Sequence, residues 1–189
     1  MPLTRVQPGL LEATGTASSS TFLRGDGAWA AVPSSITSGT AVASTSGTSI
    51  DFTGIPSTAK RVTVMFNGVS TNGASNVIVQ LGDAGGIETT GYNGGHTAFA
   101  ASVLASSSQT THITVYSQSL AADAFSGVAT ICLIGSNTWA ASGTTFSPTP
   151  RGTMFASSKT LSDTLDRVRI TTGNGTDTFD AGTINIMWE

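Results

Sequence analysis

Charged side chains are scarce in this sequence. Eight of its 189 residues are Lys or Arg and eleven are Asp or Glu, so that 10% of the chain is charged, whereas a typical soluble domain has about 25%. The charges are scattered and sum to −3. Because no basic stripe is present to follow a phosphate backbone, the sequence predicts that the protein does not bind nucleic acid.

Cysteine is nearly absent as well. Cys132 is the single cysteine, so no disulfide can form within this sequence and its fold does not depend on oxidation. The residue lies in the apolar run GVATICLIG. We expect it to be buried as a small hydrophobic side chain and not to act as a nucleophile.

Long apolar segments are missing too. No stretch of 18 or more apolar residues occurs, so the sequence predicts no membrane insertion. The first residues, MPLTRVQPG, lack the apolar centre of a signal peptide, and we do not expect secretion by that route.

Small hydroxyl side chains take the place of charge. Ser and Thr fill 56 positions and Gly fills 22, while strong helix formers never cluster. Thr and Val suit a pleated strand. Several segments also alternate apolar and polar residues at a period of two, among them KRVTVMFNGV, NVIVQLGD and GTINIMWE. With turn signals between eight to ten such segments, the sequence predicts an all-β antiparallel β-sandwich, jelly-roll-like, over residues 37–189.

Residues 1–36 have a different composition, which predicts an extended N-terminal arm. This segment has few apolar residues and a Ser/Thr/Ala/Gly run, and cannot form a core of its own. Within it, the stretch TFLRGDGAWAAV contains a turn signal that brings Phe22 and Leu23 near Trp29. These three side chains need a partner surface, and Arg24 and Asp26 are expected to pair locally or between chains.

Two stretches resemble a known class of protein. The phrase TGTASSSTFLRGDGAWAAV, Thr14 to Val32, strongly resembles a connector found in tail fibres and related appendages of tailed bacteriophages. Residues 38–83 are similar to the start of the C-terminal domain of many such proteins. The resemblance implies a virion component that is assembled in the bacterial host cytoplasm, forms a homotrimer, attaches to other virion proteins through residues 1–36 and exposes its C-terminal domain to the host.

The resemblance leaves the position in the virion open. Most tail fibres have a baseplate-binding domain and a repetitive shaft, whereas here Met1 lies only some twenty residues before the stretch TFLRGDGAWAAV. A short tail fibre or fibre tip that binds a host surface glycan or outer-membrane protein is the leading interpretation. The alternative is a head or neck fibre, or a capsid decoration protein with a structural role. An integrin-ligand function of the RGD tripeptide is not expected, because a structural turn explains its Gly and Asp.

Host contacts are expected in three loops, residues 83–97, 137–150 and 173–180. These segments contain side chains that can stack on sugars or fill pockets. The candidates are Tyr92, His96, Trp139 and Phe146. For Trp139 and Phe146, a place in the core or in a trimer interface is the competing interpretation.

Catalytic chemistry is not predicted. His96 and His112 lack metal-ligand spacing and have no cysteine partners, so we expect no catalytic residue, no cofactor and no metal site. Three carboxylate pairs lie in turn-rich segments, where Asp is common for conformational reasons. The pairs are Asp83 with Glu88, Asp163 with Asp166, and Asp177 with Asp180. A depolymerase using one of these pairs, or a calcium loop at GNGTDTFD, remain the less favoured hypotheses.

Overall fold

The chain divides into two units, and the residues that the structure describes in both form strands, turns and loops. A computed structural model describes residues 14–32, 36–100, 103–121 and 123–189. The units are Met1–Ser35 and Ile36–Glu189. Within the described ranges there is no helix, and therefore no helix that could cross a membrane. Every pairing between named strands is antiparallel, which confirms the predicted all-β antiparallel sandwich.

Strands follow one another with short connections. In chain order they are β1 (Thr21–Leu23), β2 (Trp29–Ala31), β3 (Thr37–Ser38), β4 (Val42–Ala43), β5 (Ser49–Thr53), β6 (Arg61–Thr71), β7 (Val77–Asp83), β8 (Gly86–Ile87), β9 (Tyr92–Ala100), β10 (Val103–Gln109), β11 (Ile113–Tyr116), β12 (Phe125–Gly135), β13 (Thr138–Ser147), β14 (Arg151–Thr160), β15 (Arg167–Thr172) and β16 (Phe179–Trp188).

The second unit consists of a large and a small sheet. The large sheet has nine strands in the order β10-β9-β14-β13-β12-β6-β16-β3, with β4 also paired to β16. The small sheet has five strands in the order β11-β7-β15-β5, with β8 paired to β7. The hydrophobic core lies on the inward faces of these sheets, as the alternation of large apolar residues in the sequence requires.

An aromatic stack connects the two sheets at the centre of the core. Tyr116 of β11 stacks on Phe125 of β12, with ring centroids 4.5 Å apart and 11° between the planes. Phe66 of β6 contacts the same Phe125 ring at 5.4 Å. Since β11 belongs to the small sheet and β6 and β12 to the large one, this stack ties the sheets together.

Buried hydroxyl groups complete the junction along β11, which is an edge strand of the small sheet. The hydroxyl of Thr145 in β13 donates to the carbonyl oxygen of Val115 at 2.6 Å. The amide of Ser117 donates to the hydroxyl of Thr153 in β14 at 2.9 Å. An edge strand has unpaired backbone groups, and these two threonines satisfy some of them from the facing sheet.

Two features of β12 and its neighbours differ from expectation. We expected Cys132 in GVATICLIG to be buried, but it is exposed together with Val128 and Ile134, because the large sheet is covered on one face only. Residues 92–100, 103–109 and 138–147 form strands β9, β10 and β13, although the sequence predicted loops or no strand there. Their Ser, Thr, Ala and Gly residues supply little apolar alternation.

Replacing Phe125 with alanine tests the central stack. We expect Phe125→Ala to lower the free energy of unfolding by about 3–5 kcal/mol, because it removes a fully buried ring and its contacts with Tyr116 and Phe66. Leu120→Ala is the control, since Leu120 is exposed and should change stability by less than about 0.5 kcal/mol. Urea unfolding followed by tryptophan fluorescence measures both values. Equal effects of the two substitutions would contradict this view of the core.

Candidate functional site

The RGD segment of the first unit forms the turn of a β-hairpin. Strands β1 and β2 pair so that Leu23 lies opposite Trp29. The amide of Gly27 donates to the carbonyl oxygen of Arg24 at 3.0 Å, and Gly27 has a φ of 82°, which glycine adopts without strain. The Asp26 carboxylate accepts a hydrogen bond from the amide of Ala28 at 3.1 Å. The tripeptide therefore has a structural role in this hairpin.

Apolar side chains of the hairpin are left uncovered within the described part of the arm. Phe22 and Leu23 are exposed and Trp29 is half-buried. Arg24 and Asp26 form a local ion pair at 3.3 Å, the first of the two arrangements considered from the sequence, with both side chains 55% exposed. Such an exposed pair contributes little to stability, so it adds little to the free energy that holds the hairpin together.

Three of the four candidate host-binding side chains are buried in strands. Tyr92 and His96 belong to β9. Trp139 is the second residue of β13, and its side chain is buried. All three are less than 9% exposed, so the prediction that they lie in contact loops is wrong. Trp139 belongs to the core, the competing interpretation given above.

The hydroxyl group of Tyr92 both accepts and donates a hydrogen bond. Its hydroxyl accepts from the amide of Leu81 at 2.7 Å and donates to the carbonyl oxygen of Glu88 at 3.0 Å. Burial raises the pKa of Tyr92 to about 12. His96 contacts Gln109 through its Nδ1 atom at 3.3 Å, and burial lowers its pKa. Both side chains therefore have structural partners and are not presented to a ligand.

Phe146 remains exposed, but on a strand and not in a loop. It lies on β13, and its ring centroid is 6.3 Å from that of Phe99 on β9. The two rings meet above Gly152 of β14, where a Cβ atom would lie 2.3 Å from Phe99 and 3.0 Å from Phe146. Glycine at this position therefore makes room for an exposed aromatic pair.

The five strands β10, β9, β14, β13 and β12 share an outward surface, which we call the open face. It has an apolar ridge formed by the exposed or half-buried side chains of Phe99, Leu104, Val128, Phe146 and Met154. Beside the ridge lies a shallow trough of about 790 Å³ lined largely by Gly, Ser, Thr and Ala. A second hollow of about 480 Å³ continues the trough past Ala156 to Cys132.

The outward surface of the small sheet has a different character. A polar groove of about 670 Å³ runs over β7 and β15 and is lined by hydroxyl, amide, imidazole and guanidinium groups. Two of the three predicted contact loops reach it, through Thr89 and Thr90 of one and Asn174 and Gly175 of the other. We call this surface the polar groove.

Several groups in the polar groove already have fixed partners. Arg169 forms two hydrogen bonds of 2.7 Å with the Asp51 carboxylate. His112 contacts the hydroxyl groups of Thr111 and Thr114 at 2.8 and 3.2 Å, and burial lowers its pKa. These contacts hold the groove in shape while leaving hydroxyl and amide groups at its rim.

The carboxylate pairs suspected of catalytic chemistry are engaged in local hydrogen bonds. The hydroxyl oxygen of Ser162 lies 2.7 Å from a carboxylate oxygen of Asp83 and 2.8 Å from one of Glu88, so its single proton can be donated to either carboxylate and the serine lies between the two. Asp166 pairs with the adjacent Arg167.

The third pair has a similar explanation. Asp177 accepts from the side chain of Asn174 at 2.7 Å and from the amide of Ser75 at 3.1 Å, and Asp180 accepts from Ser70. Across the described ranges, no group of three or more His, Cys, Asp or Glu side chains is placed to hold a metal ion.

A buried ion pair stabilises the cluster around Ser162. Lys159 of β14 is buried and donates to Glu88 and to the carbonyl oxygen of Thr160. Burial opposes the ionisation of Glu88, but hydrogen bonds from Lys159 and Ser162 outweigh it, and the pKa of Glu88 is lowered. The hydrogen bond from Ser162 also lowers the pKa of Asp83. Both carboxylates are therefore held ionised, which is suited to anchoring a loop.

Neither the open face nor the polar groove was predicted from the sequence. Small residues at alternate positions of β9, β13 and β14 build the trough, and they give no hydrophobic signal. A usable signal was present in β12, where Val128 and Cys132 alternate with the buried Ala129 and Ile131. A strand that is apolar on both sides and lies in a one-sided sheet must expose one of its faces.

Comparison with known proteins yields little. No protein-family model matches the chain, and no curated protein matches it. Among solved structures, the chain is similar to a protein of unknown function from Shewanella oneidensis MR-1, with 11% sequence identity and a TM-score of 0.28. That alignment covers 82% of this chain and 78% of the other.

Substitution of Glu88 tests the buried cluster. We expect Glu88→Gln to lower the free energy of unfolding by about 3 kcal/mol, because it leaves the Lys159 charge buried without its counter-ion. Asp51→Asn is the control, since it breaks an exposed pair worth less than about 1 kcal/mol. A carboxylate with a lowered pKa stabilises the fold above its ordinary pKa of 4.5, and this contribution is lost as the pH falls through the folded value. Denaturant titrations across that range should show a smaller acid loss in Glu88→Gln than in the wild type, and identical acid profiles would contradict the assignment.

Proposed function

We propose that this chain is a virion appendage protein of a tailed bacteriophage, a homotrimeric short tail fibre or fibre tip that binds the host cell surface. The segment Thr14–Val32, which resembles the connector of such proteins, is the observation that carries the proposal. Its hairpin leaves Phe22 and Leu23 exposed, as expected of a segment that meets a partner. The all-β second unit, Ile36–Glu189, which we call the body, can serve as a rigid carrier for surface contacts.

The arm provides attachment in this proposal. A hairpin of two three-residue strands, with an exposed ion pair at its turn, has little to stabilise it alone. Burying a large apolar side chain contributes about 1.5–3 kcal/mol, and three arms act together in a trimer. Contacts of Phe22, Leu23 and Trp29 with neighbouring arms or with other virion proteins would therefore stabilise the hairpin and fix the protein in the particle.

The polar groove provides the host contact. Sugar hydroxyl groups are recognised by side chains that both donate and accept hydrogen bonds, and the rim of the groove is rich in Thr, Ser, Gln and Asn. Two of the predicted contact loops contribute to it. A host surface glycan is accordingly the favoured receptor, and a host outer-membrane protein is the other outcome of the binding test below.

No catalytic role is part of this proposal. Asp83 and Glu88 share one serine donor, and Glu88 is also paired with Lys159. A glycosidase needs one carboxylic acid that donates a proton and one carboxylate placed around a sugar, whereas both of these pKa values are lowered. Release of reducing ends from host polysaccharide would favour the depolymerase hypothesis instead.

Substitution of Trp29 tests the arm. We expect Trp29→Ala to reduce incorporation into phage particles by about tenfold or more, because it removes a large apolar contact in each chain. Val32→Ala is the control, since it changes a smaller exposed side chain outside the hairpin strands. Quantitative immunoblotting of purified particles measures incorporation. Normal incorporation of Trp29→Ala would contradict the attachment role.

A bulky residue at the rim tests the polar groove. We expect Thr90→Trp to weaken binding of the full chain to purified host polysaccharide by about tenfold or more, because the indole obstructs the groove. Thr58→Trp is the matched control, since it makes the same change in the exposed turn between β5 and β6, which does not line the groove, and it should bind normally. Binding to host cells that depends on outer-membrane protein and not on polysaccharide would indicate the protein receptor.

The position of the protein in the virion distinguishes a tail fibre from a head fibre, a neck fibre or a capsid decoration protein. If the full chain trimerises and enters particles, yet neither binds host cells nor competes with phage for adsorption, then a head or neck fibre or a capsid decoration protein is the better description. Labelling particles with an antibody and locating it by electron microscopy gives the position directly.

A further inference from the structure

We propose that the open face of the large sheet is a self-association surface, on which the apolar ridge of one copy of this chain packs into the trough of a second copy. The surface belongs to the body and not to the arm. The proposed function places contacts between copies in the arm, so the inference adds a separate contact surface, and it can be tested on the purified protein without phage or host cells.

The ridge exposes large apolar side chains to solvent. Leu104 is 76% exposed, Met154 56%, Phe146 50% and Val128 41%. Strand pairing makes these residues neighbours, since Leu104 lies opposite Phe99 and the Phe99 and Phe146 rings meet across β14. Contiguous apolar patches of this kind mark interaction sites, and Met and Phe are enriched in them.

The trough supplies the complementary shape on the same face. Gly95, Ser142 and Ala156 lie side by side on β9, β13 and β14, in register across the sheet. With about 790 Å³ in the first hollow, the trough has room for the long side chains of the ridge. Because each copy carries both a ridge and a trough, the ridge of one copy can meet the trough of another.

Charge is absent from the open face. Arg151 and Lys159 are the charged residues of the five strands, and both alternate onto the inward face of β14. A contact between two copies would bring no like charges together and would bury no ion. The Ser and Thr hydroxyl groups of the trough can donate and accept, so they can find partners across the contact. An ionic partner would find no opposite charge on such a surface.

The size of the face suits a stable contact. Five strands at a spacing of about 4.8 Å, each contributing about seven residues at 3.3 Å, cover roughly 550 Å² in projection. Side-chain relief makes the accessible area larger than the projected area, and a standard protein interface buries about 800 Å² on each partner. Before side-chain relief is added, the projected face is thus about two thirds of one side of such an interface.

Two substitutions on the face test the proposal. We expect Met154→Glu, which places a charge on the ridge, and Ala156→Trp, which fills the trough, each to weaken self-association of the full chain by about tenfold or more. Leu120→Glu is the matched control, because Leu120 is similarly exposed but lies in the connection between β11 and β12. Sedimentation velocity over a concentration series measures association, and circular dichroism checks that each variant is folded.

Cys132 provides a second readout that needs no substitution. It is exposed on the open face and borders the trough, so a second copy should shield it. We expect a bulky maleimide to label Cys132 about tenfold more slowly in the associated wild type than after dilution to the monomer.

The outcomes separate this surface from the arm. Loss of association in Met154→Glu and Ala156→Trp, with Leu120→Glu unchanged, supports the proposal. A monomeric wild type whose Cys132 labels at the same rate at every concentration overturns it. Association that survives both open-face substitutions but is lost in Trp29→Ala also overturns it, because the arm would then account for the whole contact.

Discussion

The contact between Tyr116 and Phe125 is the interaction on which the body of this protein depends. Each sheet has one apolar face, and neither sheet can keep that face in water. The stacked rings join β11 of the small sheet to β12 of the large sheet, and Phe66 extends the contact to β6. Hydroxyl groups of Thr145 and Thr153 then satisfy backbone groups along β11. Once these inward faces are joined, the character of each outward face is fixed by alternation alone.

The two outward faces that result are chemically unlike. The small sheet presents Asp51, Gln80 and Arg169, together with the hydroxyl groups of the polar groove. The large sheet presents Met154, Phe146 and a trough of small residues. This difference is the basis for proposing host contact at the first face and contact between copies at the second. A neutral, partly apolar surface gains by excluding water, whereas a rim of donors and acceptors gains by matching the hydroxyl groups of a ligand.

The few charged residues of the chain are used mainly to fix connections. Lys159, Glu88, Ser162 and Asp83 join the β7–β8 hairpin to the connection between β14 and β15. Burying the charged ammonium group of Lys159 costs free energy. This cost is offset because the group donates hydrogen bonds to Glu88 and to the carbonyl oxygen of Thr160. The carboxylate pairs that are close together in the sequence form hydrogen bonds and ion pairs of this kind, and these contacts hold loops in place.

The sequence by itself determined the fold class, the strands that alternate large apolar and polar residues, and the turn at Asp26-Gly27. Those features follow from local conformational preference and from a period of two, which neighbouring residues encode. Tertiary structure decided that β9, β10 and β13 are strands, because their many Ser, Ala and Gly residues give little apolar alternation and are held there by pairing with the neighbouring strands. It also decided that Tyr92 and Trp139 are inside while Cys132 is outside. Whether a strand face meets the core or solvent depends on which sheet covers it, and that partner lies far away in the chain.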